Sequence, residues 1–148
     1  MEEAGQAGAP HGVLAARVDV IHLDTSFLIK SLVRGSPEDR SLRDWLKAGE
    51  AVVMSAVAWA ELLCGPLEPS HLELISRVVS GRASFQEEDA ALSARLFNDS
   101  GRRRGSLMDC MIAASALRAG ASLATANARD FRRFSAAGLT VLEGRGNP

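Results

Sequence analysis

Short apolar runs that suit strands alternate along this chain with longer stretches that suit helices, and this alternation restricts the fold more than any other feature. Residues 18–23, 51–54, 121–125 and 139–142 are short and largely apolar, with β-branched members in several, and residues 82–85 are a candidate for a further brief strand. Turn and cap signals separate them. Ser36-Pro37 places a cap and a proline at the start of a helix ending near Gly49, with Leu42, Trp45 and Leu46 at helical spacing. Ser55 opens a helix closed by Gly65-Pro66, Pro69-Ser70 opens one closed by Gly81, and residues 86–98 form another. Ser106 opens a helix closed by Gly120, and a further helical turn covers residues 127–134. Alternation of this kind builds an α/β fold, a parallel sheet with helices on both faces. Ligands then gather at the carboxyl ends of the strands.

The chain has 148 residues, enough for one domain that folds without a disulfide or structural metal. Residues 1–17 read as a flexible extension, 18–143 as the domain and 144–148 as a flexible tail. The extension is Ala- and Gly-rich and begins with acids, unlike a signal peptide. No run approaches the ~20 apolar residues that span a bilayer. Cys64 and Cys110 lie far apart in apolar runs and read as buried free thiols, which excludes a Cys/His zinc site and suggests a cytoplasmic protein. The net charge of −1 is unremarkable, but Arg102, Arg103 and Arg104 are consecutive, Arg129, Arg132 and Arg133 follow, and Glu87, Glu88 and Asp89 form an acidic group.

Three carboxylates look misplaced. Asp24 directly follows the first strand. Glu61 is the sole charge in residues 51–67, and Asp109 the sole charge in residues 107–117. An unpaired acid in an apolar segment costs several kcal/mol if buried. Taken singly, each has an ordinary explanation: Asp24 as a helix cap, Glu61 as an arginine partner, Asp109 as part of a capping box with Ser106. Taken together they suit a divalent cation, and Asp130, after the fourth strand, is a candidate fourth acid. Oxygen ligands of this kind suit Mg²⁺, with Mn²⁺ as the alternative.

Four segments in order resemble the PIN-domain ribonuclease family, specifically VapC-type toxins of type II toxin–antitoxin pairs. They are Leu23-Asp24-Thr25-Ser26-Phe27-Leu28-Ile29, the stretch from Ser55 through Trp59 and Glu61 to Gly65, Asp109-Cys110-Met111-Ile112, and Ala124-Thr125-Ala126-Asn127-Ala128-Arg129-Asp130-Phe131. The resemblance implies a PIN-like three-layer α/β/α fold with four or five strands in the order 3-2-1-4-5. It implies a metal held by Asp24, Asp109 and Glu61, and a catalytic set of Asp24, Glu61, Asp109 and Asp130. The family often carries an acid where Asn127 stands, so either Asn127 or Asp130 completes the cluster. Thr25, Ser26 and Asn127 are then expected to orient substrate or water.

The implied reaction is hydrolysis of RNA phosphodiester bonds, with Arg102, Arg103 and Arg104 holding the backbone. A structured RNA such as transfer RNA, a small cognate antitoxin and a homodimer are the implied partners. Leu28, Leu32, Trp59 and Leu63 serve those contacts or the core. The alternatives are a non-catalytic module of the same fold and a DNA-directed nuclease. An aspartyl phosphatase wants a second Asp two residues after Asp24, where Ser26 stands.

Overall fold

A computed structural model describes residues 20–145. Its centre is β1 (Val20–Leu23), which pairs in parallel with β2 (Ala51–Ser55) on one side and β4 (Ser122–Ala124) on the other. Outside these lie β3 (Gly81–Ala83) and β5 (Val141–Leu142), giving the order β3-β2-β1-β4-β5. This is the expected PIN-like three-layer architecture, with all five strands present. Crossovers between parallel strands are made by α1 (Thr25–Ser31), α2 (Pro37–Lys47), α3 (Ala56–Cys64), α4 (Pro69–Val78), α5 (Glu87–Asp99), α6 (Leu107–Arg118) and α7 (Ala128–Phe131). A 3-10 helix, Arg132–Ala137, extends α7. Because every strand runs the same way, the residues after β1, β2 and β4 meet at one edge.

Both faces of β1 are covered: Ile21 and Leu23 are buried on one side and His22 on the other. Phe27 stacks on Trp45 at 5.4 Å between ring centres, locking α1 to α2, while Phe131 meets Phe134 edge-on at 6.0 Å. Ser36 accepts from the Asp39 N–H at 3.0 Å, and Ser55 from the Ala58 N–H at 3.1 Å, as their sequence positions imply.

Some expectations need correction. The helix after Asp24 begins at Thr25 rather than near Phe27, and β3 ends at Ala83. Its single neighbour, β2, ends at Ser55, paired with Ala83, so residues beyond find no ladder. Cys64 is exposed, because the last turn of α3 turns Leu62 into the core and Cys64 to the outside; Cys110 is the buried free thiol. Asp89 is not part of an acidic surface. It is fully buried and paired through both oxygens with Arg118, with a further bond from the Gln86 N–H at 2.8 Å. Residues 1–17 lie outside the described residues. Arg145, in the segment read as a tail, donates its backbone N–H to Ser41 Oγ at 2.8 Å. Among the described residues no helix is long and apolar enough to cross a membrane.

Burial lowers the pKa of His22, and the nearby Asp89 carboxylate raises it only in part; its Nδ1 has no hydrogen-bond partner. A histidine held neutral in the fold takes up protons more readily when unfolded. The stability this represents is present above the unfolded value of about 6.5 and is lost as the pH falls below it. The urea midpoint of the protein is therefore expected to drop between about pH 7 and pH 5, and His22→Leu to flatten that drop. Equal slopes in the two proteins would contradict it.

Candidate functional site

Asp24 sits at the first position outside β1, held by its N–H bond to the Ala124 carbonyl at 2.9 Å. It precedes α1, yet its carboxylate makes no cap bond to that helix. Instead two hydroxyls converge on Oδ2: Ser26 donates at 2.7 Å and Thr125 at 2.8 Å. Each hydroxyl in turn accepts from a backbone N–H, Ser26 from Ala126 at 3.1 Å and Thr125 from Asn127 at 2.9 Å. Each hydroxyl has one proton, and both protons are committed to the same carboxylate oxygen. Backbone dipoles thus polarise two relays that aim Asp24. Oδ1 takes no hydrogen bond from the described residues.

Asp109 lies in the first turn of α6. The capping-box explanation does not hold: the Ser106 hydroxyl donates to the Arg103 carbonyl at 2.7 Å and makes no cap bond to the helix. Partial burial raises the Asp109 pKa above the usual carboxylate range. Repulsion from Asp24 adds to this, Arg133 opposes it, and Asp130 and Glu61 push the same way. Asp24, Asp130 and Glu61 are therefore each within electrostatic reach of Asp109, and they are opposed by Arg133, whose Nη2 is 3.7 Å from Asp109 Oδ2.

Glu61 differs from its reading in sequence. It is exposed on α3, so no burial cost attaches to it, and among the described residues it has no salt-bridge partner. Asp130 is half-buried in α7, and Asn127, exposed, precedes that helix without capping it. The Thr25 hydroxyl donates to the Ala58 carbonyl at 2.9 Å and joins α1 to α3; Ser26 is the residue that reaches Asp24. Arg102, Arg103 and Arg104 are exposed in the loop before α6. Arg102 turns back to Asn98 and over the Phe97 ring, leaving Arg103 and Arg104 directed to solvent. Sequence reading gave no role to Thr125 or Arg133. Thr125 had a usable signal, since it directly follows the strand paired with β1.

Among the described residues no three His, Cys, Asp or Glu side chains come close enough to enclose one ion. The donor set still fits Mg²⁺, which keeps most of its waters and takes one or two carboxylates directly. Asp24, with an open Oδ1, and Asp109, short of neutralising charge, are the pair suited to direct contact. Glu61 and Asp130 are suited to contact through water.

A parallel α/β sheet with a hydroxyl-braced aspartate among further acids at its carboxyl edge defines a class of acidic-site domains. The PIN domain family matches residues 21–137, and the chain belongs to that family. No curated protein matches it significantly in sequence. Among solved structures, a chain of VapBC2 from Rickettsia felis, bound to a DNA fragment from their promoter, is 19% identical with a TM-score of 0.69, covering 84% of this chain and 98% of that one. VapBC-1 from nontypeable Haemophilus influenzae is 22% identical (TM-score 0.64, 84% and 97% covered). FitAcB from Neisseria gonorrhoeae is 25% identical (TM-score 0.59, 82% and 96% covered).

A carboxylate with a raised pKa in the folded state penalises stability. The penalty is absent at low pH, grows as the pH rises from the ordinary value through the raised one, and is complete at neutral pH. In EDTA at pH 7, Asp109→Asn is expected to raise the thermal midpoint by roughly 1–4 °C, a small gain because solvent screens a partly exposed group. A lowered midpoint would contradict the excess negative charge.

Proposed function

We propose that this chain is a Mg²⁺-dependent endoribonuclease, with Mn²⁺ able to substitute, and the toxin of a VapBC-type pair that inhibits translation. The observation that carries the reading is the Asp24 carboxylate, braced by Ser26 and Thr125 with one oxygen left open, beside an Asp109 crowded by acids. Repulsion of that kind is unfavourable in the empty protein and becomes favourable around a divalent cation.

When bound, the ion lowers the pKa of a water and neutralises charge on the phosphate. Asp24 and Asp109 would hold it directly. Glu61, exposed and without a salt-bridge partner among the described residues, would position the attacking water or help hold a second ion. Asp130 acts through water. Asn127 extends the Thr125 relay and places its exposed amide beside the substrate. Arg103 and Arg104 meet RNA phosphates, the sequence-independent part of binding, and Arg102 shapes their loop. Two Trp, five Phe and no Tyr leave few rings for base stacking, which suits a folded RNA read by shape, and the family resemblance, not the composition, points to transfer RNA.

A small antitoxin is the proposed protein partner, since the solved relatives include toxin–antitoxin complexes. A groove of about 260 Å³ between α1, α2 and α4, lined by Leu28, Leu32, Leu42, Leu46, Leu74 and Val78, offers apolar surface for it. Leu28 is also core, whereas Leu46 and Leu74 in the lining stay exposed. Leu63, exposed on α3, and half-buried Trp59 are candidates for the homodimer contact.

Antitoxin-free protein incubated with transfer RNA is expected to cleave it with Mg²⁺ or Mn²⁺ and to stop in EDTA. Asp24→Asn and Asp109→Asn are each expected to lower the rate ~100-fold or more. Cleavage of DNA alone would favour the DNA-directed alternative, and no cleavage of either would favour the non-catalytic module.

A further inference from the structure

Arg133 carries an anomaly that the reading above leaves unexplained. Its side chain is 14% exposed, in the 3-10 helix after α7. Nη1 donates to the Asp130 carbonyl at 2.6 Å, and the guanidinium lies over the Phe134 ring at 4.5 Å. Nε and Nη2 are buried and, among the described residues, have no hydrogen-bond partner; the Cys110 thiol, only a weak acceptor, lies beside the guanidinium. A buried donor without an acceptor is costly, and two on one cation more so. Nε and Nη2 form one edge of the guanidinium, the fork that takes both oxygens of a carboxylate side-on. Asp109 Oδ2 stands 3.7 Å from that edge, a little beyond hydrogen-bond reach. An RNA phosphate is the less suitable acceptor, because both nitrogens are sealed from solvent.

We propose that Arg133 is the resident counter-charge of Asp109: its free edge closes on the Asp109 carboxylate in the metal-free protein and competes with a divalent cation for it. The inference rests on the metal reading above. It makes Arg133 a positioning residue, one that acts through Asp109 and sets how tightly the site holds its ion. A small change of the Asp109 side chain joins the pair, and a cation drawn to Asp24 separates it. The fixed positive charge then opposes the ion, keeping affinity below what the acids alone would give.

The test is titration of Mn²⁺ into the full-length, antitoxin-free protein, reading free Mn²⁺ by electron paramagnetic resonance, beside thermal melts in EDTA. Arg133→Met keeps bulk without charge, Arg133→Gln is a second neutral variant, and Arg133→Lys keeps charge without the fork. Circular dichroism confirms that each is folded. Both neutral variants are expected to bind Mn²⁺ roughly three- to tenfold more tightly than the unaltered protein. Arg133→Lys is expected to stay within about twofold. In EDTA, Arg133→Met is expected to lower the thermal midpoint, and to lower it less when Asp109→Asn is already present. Arg133 serving only to pack Phe134 would lower midpoints equally in both backgrounds and leave Mn²⁺ affinity unchanged, overturning the proposal. Failure of the unaltered protein to bind Mn²⁺ would overturn the metal reading itself. Unchanged affinity in the neutral variants, with normal binding in the unaltered protein, would overturn this inference alone.

Discussion

Negative charge that the fold gathers but does not neutralise is the constraint on which the rest of the structure turns. Asp109 feels Asp24, Asp130 and Glu61 together, while Arg133 opposes them. The parallel sheet produces this crowding. With β1 in the middle and β2 and β4 on its flanks, residues far apart in sequence are delivered to one edge. The pairing of Leu23 with Ala124 sets Asp24 beside Thr125, and the hydroxyl relays follow from that register. Elsewhere the same protein pairs a buried acid with care. Asp89 is wholly enclosed, yet bonds from Arg118 and the Gln86 N–H outweigh the cost of burial and hold its pKa below the usual range. The contrast separates an acid that serves the fold from acids that burden it.

Much of the architecture was legible because parallel sheets write their strands as apolar runs between helix caps. Ser36-Pro37 and Ser55 marked helix starts that the structure reproduces. Edge strands were less legible. β3 is set by pairing with β2, which a local pattern does not encode. Asp24 and Asp109 drew attention as lone charges, and the structure removes their ordinary explanations, since neither takes part in the cap that sequence allowed it. Glu61 drew attention for a reason that fails: α3 is apolar in composition, but it buries only the face carrying Ala58 and Leu62, and Glu61 lies on the exposed face. A run of apolar residues shows that a helix has something to bury, not which positions it buries.

What sequence did not disclose are the contacts made across roughly a hundred residues of chain. The bond from Thr125 to Asp24 spans 101 positions and depends on the order of strands. Thr25 and Ser26 were equivalent as letters; one turns to the Ala58 carbonyl and the other to Asp24 because α1 starts immediately after the strand. Arg133 was one of several arginines near the end of the chain, and only its burial and unpaired edge distinguish it.

The central claim is that Asp24 and Asp109 share a divalent cation, and a crystal of the antitoxin-free protein grown with Mn²⁺ tests it most directly. An anomalous peak about 2.1–2.2 Å from Asp24 Oδ1 and from an Asp109 oxygen, with water filling the remaining positions, is the expected result. Full occupancy at another site, with Asp109 closed on Arg133 and Asp24 bonded only to Ser26 and Thr125, would contradict it.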